Sequence, residues 1–393
     1  MITKTSTWKN NLNLRNYGLS VALIGIIILF QILTGGRLLV PDNIVSLIQQ
    51  NAYVMILAIG MMMVIIAGHI DLSVGSIVAM VGGVVGIAMT QWNISWPVAI
   101  LLALLVGVLV GMWQGYWVAY VGIPAFIATL GGMLIFRGFA QLLVGQTISG
   151  FPQEFITIGN GALPNFLGFT NTPTIGYVEG VTILFAVLAI VAYIVLSVRK
   201  RSIAKKHELN VEFTTTFWIK VVTVCILVGI FAYLIGLSTD GMPVVLLVLA
   251  VLVGIFSFVL RSTRFGRNVY AIGGNYRAAE LSGVNVKRDT FVVFVLMGVL
   301  SALAGVVVTS RAGAAVAAAG MGYELDAIAA CFIGGAAVEG GVGKISGAMI
   351  GALVMGVLNI GLSILAVDPA WQQAIKGLVL IIAVAFDLMN KRK

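Results

Sequence analysis

The chain has 393 residues, of which 60% are hydrophobic and only 9% charged. A soluble domain is usually about one quarter charged, so a soluble globular fold is excluded and the bilayer is the natural solvent. Two His and two Cys are too few for a structural zinc site, and Cys225 and Cys331 sit in apolar stretches that exclude a disulfide framework. The net charge of +9 comes from basic residues spread between apolar runs, which marks topology and excludes nucleic acid as a partner.

Residues 1–16 are polar, and the apolar run that follows has no small-residue cleavage site. It reads as a retained first span. Spans are predicted at 17–34, 44–66, 73–90, 97–119, 123–145, 180–198, 216–237, 243–260, 290–310, 322–338, 345–366 and 371–389, each near the ~20 residues a bilayer needs. The fold class is an all-α membrane protein, a polytopic bundle of ten to twelve spans with some helices broken or re-entrant. Pro41, Pro97, Pro124, Pro243 and Pro369 fall at or just before span starts, and Pro152, Pro164 and Pro173 lie in one long loop at 146–179. With the N-terminus inside, all Lys and Arg except Arg37, Arg137, Arg311 and Lys376 fall on inner segments, and the 146–179 loop has none. This places both termini in the cytoplasm.

Glycines inside the spans include the pairs Gly107/Gly111 and Gly347/Gly351, whose small-xxx-small spacing lets helices approach closely. The whole chain reads as one transmembrane domain. It comprises a first group of spans (17–198), an extra segment (199–243), a cytoplasmic loop (261–289) and a last group (290–389).

Enzyme motifs are missing: there is no phosphate loop, no G-x-S-x-G elbow and no H-E-x-x-H pair. The chain is read as a transport subunit with no cofactor of its own, so any ATP must be bound with magnesium by another chain. Polar residues at membrane depth are the other place to look. The run 67–76 interrupts an apolar stretch with Gly68, His69, Asp71, Ser73 and Gly75, which predicts a broken helix. Asp71 or Ser73 either caps the next helix or lines a pathway. His69 and Asp71 stand two apart and would not share a helix face. Arg137 is expected to form a structural ion pair, Glu324 and Asp326 to be solvated at an interface or to line the pathway, and Lys376 to snorkel.

The 261–289 loop is the most informative. Asn275 can cap a short helix over 276–282 and Gly283 can end it, with Ala278 and Ala279 small enough to seat in a partner's cleft. A two-turn helix is marginal alone, so it packs on its own bundle or docks on something.

That loop resembles the docking segment of sugar-type ABC importer permeases, through Arg264-Phe265-Gly266-Arg267, Tyr270-Ala271, Gly273-Gly274-Asn275, Ala278-Ala279 and Ser282-Gly283-Val284. Ile70-Asp71-Leu72-Ser73-Val74-Gly75-Ser76, the 124–131 stretch with Phe126 and Thr129, and the 322–330 stretch with Glu324 and Asp326 are similar to three further motifs of that family. His69, Ala67 and the serine-free 335–341 segment depart from its pattern. The segment at about 199–243 resembles the xylose and multiple-monosaccharide branch.

The resemblance implies a permease that forms the translocation pathway for a pentose or an aldohexose in the bacterial inner membrane. It implies a second permease copy, surrounding lipid, two ATP-binding-cassette ATPase subunits and an extracytoplasmic sugar-binding protein. Asn275, Tyr276, Arg277, Ala278, Ala279, Glu280, Ser282 and Gly283 would dock the ATPase. His69, Asp71, Ser73, Phe126, Thr129, Glu324 and Asp326 become pathway candidates. A self-sufficient secondary transporter is the rival reading, and it would have no use for a capped cytoplasmic helix.

Overall fold

The computed structural model describes residues 14–172, 176–208 and 213–391; Lys4, Lys9 and Pro173 lie outside them. In chain order the helices are α1 (Leu14–Leu33), α2 (Pro41–Ile66), α3 (Val74–Thr90), α4 (Trp96–Tyr116), α5 (Ala125–Val144), α6 (Gln153–Asn160), α7 (Gly180–Lys206) and α8 (Thr214–Gly236). They continue with α9 (Val244–Ser262), α10 (Arg264–Gly274), α11 (Tyr276–Leu281), α12 (Val286–Ala312), α13 (Tyr323–Ile333), α14 (Ile345–Ile364) and α15 (Pro369–Lys391). Among the described residues eight helices are long and apolar enough to cross a membrane, and α3 and the Gly18–Leu33 part of α1 are shorter apolar helices. The chain is thus the polytopic helical bundle that its composition predicts. Prolines begin helices as expected: Pro41 and Pro369 open α2 and α15, and Pro97 lies in the first turn of α4. There the missing N–H forfeits no intrahelical bond.

One predicted span is corrected. The 322–338 segment is an 11-residue half-helix, α13, stopped by Gly334 and Gly335. At 1.5 Å per residue it is too short to cross a hydrocarbon core of about 30 Å. Small β elements, invisible to a hydropathy reading, are also present: β1 (Ile148–Ser149) pairs antiparallel with β4 (Ala314–Ala315), and β2 (Phe169–Thr172) pairs with β3 (Gly176–Glu179).

The described chain forms two compact units. The first holds residues to Leu38, Leu47–Asn160 and everything from Val245. Its centre is α2, whose apolar window is 89% enclosed. Around it, α12 crosses α4 with almost no side chain between them: a Cβ on Gly107 would stand 2.6 Å from the Gly298 carbonyl oxygen. The Gly347/Gly351 pair does the same for α14 against the backbone of Ala330 and Gly334 on the α13 side. Both small-xxx-small pairs therefore serve close helix packing.

The second unit holds Leu39–Ser46 and Gly161–Val244, which includes the 199–243 segment. Its helices α7 and α8 pack on each other and expose Val187, Leu188, Leu196, Ile226 and Leu227, a broad apolar face. A buried carboxylate organises the end of the hairpin: Glu179 accepts from the Met242 amide at 3.2 Å and from the Thr182 hydroxyl.

Candidate functional site

The end of α2 is built by local rules. Gly68 adopts φ +82°, the Gly68 amide donates to Ile65 O at 2.9 Å and the His69 amide to Val64 O at 3.0 Å. This is the paired bonding of a left-handed glycine cap. Three residues after Gly68, the Asp71 carboxylate accepts from the Ser73 amide at 2.8 Å and from the Ser73 hydroxyl at 2.6 Å. That turn starts α3 and breaks the α2–α3 run as predicted. Asp71 and Ser73 are fully buried, and Gln114 of α4 donates to the Ser73 hydroxyl at 2.5 Å. Thr129 returns its hydroxyl to Ala125 O at 2.9 Å. The structure therefore puts Asp71, Ser73 and Thr129 in enclosed positions. Gln114, which anchors Ser73 from 41 residues away, carried no sequence signal.

His69 and Phe126 are placed differently. Both line a cavity of about 460 Å³ shared with Gly68, Ile70, Val118 and Tyr276. His69 also tilts against the Phe294 ring, 5.9 Å between centroids. His69 and Asp71 do not meet.

The docking segment is a series of capped turns. Thr263 accepts from the Gly266 amide at 3.1 Å at the start of α10, Asn275 from the Ala278 amide at 3.0 Å at the start of α11, and Asn285 from the Arg288 amide at 3.0 Å at the start of α12. Gly283, at φ +82°, closes α11 in the left-handed conformation that glycine permits. Tyr276, Arg277, Ala278, Glu280, Ser282 and Gly283 are exposed. Ala279 is a correction. It is buried with Ile272 and Val286, so its side chain packs against its own chain. Helical spacing puts it on the face opposite Leu281, which is 89% exposed. Tyr270 of α10 donates its hydroxyl to Gly343 O at 2.7 Å. Burial raises that phenol above its ordinary pKa against the pull of Arg261, so it stays a donor.

Asp326 is also corrected: it is buried, not solvated at an interface. Tyr53 donates to it at 2.7 Å, and Lys376 of α15 sits 3.2 Å from each of its oxygens. Tyr53 stacks on Tyr323 at 3.6 Å between centroids. Lys376 thus pairs with a carboxylate where snorkelling was expected. Glu324, two residues before Asp326, is partly buried. Where an ion pair is expected, Arg137 Nη1 instead donates to the carbonyls of Ala317 at 2.9 Å and Ala319 at 2.6 Å.

A broken α2–α3 run, a half-helix α13 and a capped docking segment thus occur together in one chain. The profile of the family described as "Branched-chain amino acid transport system / permease component" matches residues 43–384. The chain belongs to this permease family. The permease is 38% identical to the xylose transport system permease protein XylH of Haemophilus influenzae, over 98% of each chain. It is also 38% identical to XylH of Escherichia coli K12, over 98% of this chain and 94% of that one. Against the ribose import permease protein RbsC of Haemophilus influenzae the identity is 32%, over 88% of this chain and 85% of the other. No solved structure matches the permease significantly. It is a transport subunit of an ABC sugar importer family, multi-pass in the membrane, and not an enzyme.

Proposed function

We propose that this permease imports a pentose, xylose or a close analogue, as one of two identical membrane subunits. Two ATPase subunits bind ATP with magnesium and dock on the exposed face of α11, and an extracytoplasmic binding protein delivers the sugar. Both termini lie in the cytoplasm of a bacterial cell, and lipid covers α7 and α8. The observation that carries the reading is the match to two xylose permeases along essentially the full length of all three chains. The capped α11, with Arg277 and Leu281 pointing outward, supports it. The positive-inside distribution of Lys and Arg supports the orientation.

Mechanistically, two states of the ATPase pair bind α11 differently, and that difference is the free energy that shifts the permease between inward and outward access. Six of the seven pathway candidates, all but the partly buried Glu324, fall into two groups. His69 and Phe126 border open space. Asp71, Ser73, Thr129 and Asp326 are packed and bonded, which makes them framework of the pathway walls.

The test is co-purification followed by transport. The tagged permease is extracted in mild detergent and its partners are identified. The intact assembly is then reconstituted with the binding protein and assayed for ATP-dependent uptake of xylose, ribose and glucose. A stoichiometric ATPase and uptake led by xylose are expected. A permease that purifies alone and moves sugar without ATP would sink the proposal.

A further inference from the structure

Three segments far apart in sequence meet as bare backbone. They are the end of α2, the end of α10, and the 340–343 stretch between α13 and α14. The Gly341 amide donates to Ile66 O at 2.8 Å, so a terminal carbonyl of α2 is satisfied by the second helix break. A Cβ on Gly273 would fall on Ile66 O and beside Gly341 N, directly against that hydrogen bond. A Cβ on Gly340 would stand 2.9 Å from Gly68 Cα and 3.2 Å from Gly273 O. Three residues before Gly273, the Tyr270 hydroxyl holds Gly343 O at 2.7 Å.

The docking segment behind this junction is tied together. Asn268 of α10 donates to Asp289 of α12 at 2.7 Å, and Ile272, Ala279 and Val286 join α10, α11 and α12 in one apolar cluster. Side chains absorb small shifts by changing rotamer; backbone held against backbone has no such slack. Open space is available next to the junction, because Tyr276 of α11 and His69 of the first break share the 460 Å³ cavity.

We propose that Gly273 and Tyr270 are positioning residues for transport, which pass displacement of the docking helix into both helix breaks through this backbone junction. The proposal rests on the importer reading above. Docking captures the ATPase; the junction makes its movement count. Tight packing alone would affect folding and assembly, but it would not alter how much sugar moves for each ATP consumed.

The experiment uses the complete reconstituted assembly with its binding protein. Xylose uptake and ATP hydrolysis are measured on the same vesicles for wild type, Gly273→Ala, Tyr270→Phe and Gly254→Ala. Gly254 lies on α9 with nothing within 4 Å of an added Cβ. Expected is normal recovery of the ATPase partner and continued hydrolysis in all four. Uptake per ATP falls about fivefold in Tyr270→Phe, the weight of one hydrogen bond, falls further in Gly273→Ala, and is unchanged in Gly254→Ala. If Gly273→Ala does not assemble, Tyr270→Phe decides. An assembled Tyr270→Phe or Gly273→Ala transporter with wild-type uptake per ATP overturns the junction while the importer reading stands. Wild-type uptake without any ATPase overturns both.

Discussion

Asp71 has one carboxylate oxygen that accepts twice from Ser73 and another, fully buried, that has no hydrogen-bond partner among the described residues. Its value to the fold is the turn it holds. Asp71→Ala leaves the Ser73 amide without its acceptor and is expected to cost about 1–3 kcal/mol, read as a lower unfolding temperature in detergent. Asp71→Asn keeps an acceptor and is expected to stay closer to wild type. A well-folded Asp71→Asn permease that no longer transports would return Asp71 to the pathway itself. Asp326 calls for a different design, since Tyr53 and Lys376 share one carboxylate. In a double-mutant cycle, Lys376→Met and Asp326→Asn together are expected to lose less than the sum of the two singles, by about 1 kcal/mol. Strict additivity in the unfolding data would show the ion pair to be idle. The sequence displays Asp71 and Asp326 as acids in apolar surroundings. It does not display Gln114, Tyr53 or Lys376 as their neighbours, because contacts between helices leave no period along a chain.

Helix α11 was legible because its determinants are local. Asn275, the three-residue reach to the Ala278 amide and the left-handed Gly283 are all capping chemistry. The direction its faces point was not legible, since that depends on Ile272 and Val286 from neighbouring elements. Leu281→Glu is therefore expected to abolish ATPase co-purification without changing the unfolding temperature of the permease alone. Ala279→Asp should instead lower that temperature, because it places a charge among apolar neighbours. If both variants simply lose the partner with equal stability, the assigned faces are wrong. Glycine spacing was legible too, and the structure says which glycines matter. Gly107→Ala meets the Gly298 carbonyl and is expected to lower the unfolding temperature. Gly138→Ala on α5 meets nothing within 4 Å and is expected to be neutral or to gain about 0.5–1 kcal/mol. The overlong 322–338 span was misjudged because hydropathy counts apolar residues and is blind to a glycine stop in their midst.

At the scale of the whole molecule, the most enclosed span and the least enclosed one show that enclosure does not follow hydropathy. The apolar window of α2 is 89% enclosed and that of α7 only 11%, yet α7 is the more apolar of the two. A lipid-facing helix must be oily, whereas a central one can keep amides that other helices satisfy. On α2 these include Asn51, which hands its side-chain amide to Leu47 O at 2.9 Å and accepts from Asn359 at 2.9 Å. Composition told which class of protein this is, and charge told a direction of threading, but neither ranks helices from centre to rim. The Asn51–Asn359 bond also sets a clock for the making of the protein. The two residues are 308 positions apart. At about 5–20 residues per second, a ribosome needs roughly 15–60 s to deliver the second after the first. For that interval α2 has left the ribosome and Asn51 waits for the partner that completes it. The newborn permease therefore passes through a long adolescence in which its future centre is the part most in need of shelter from lipid.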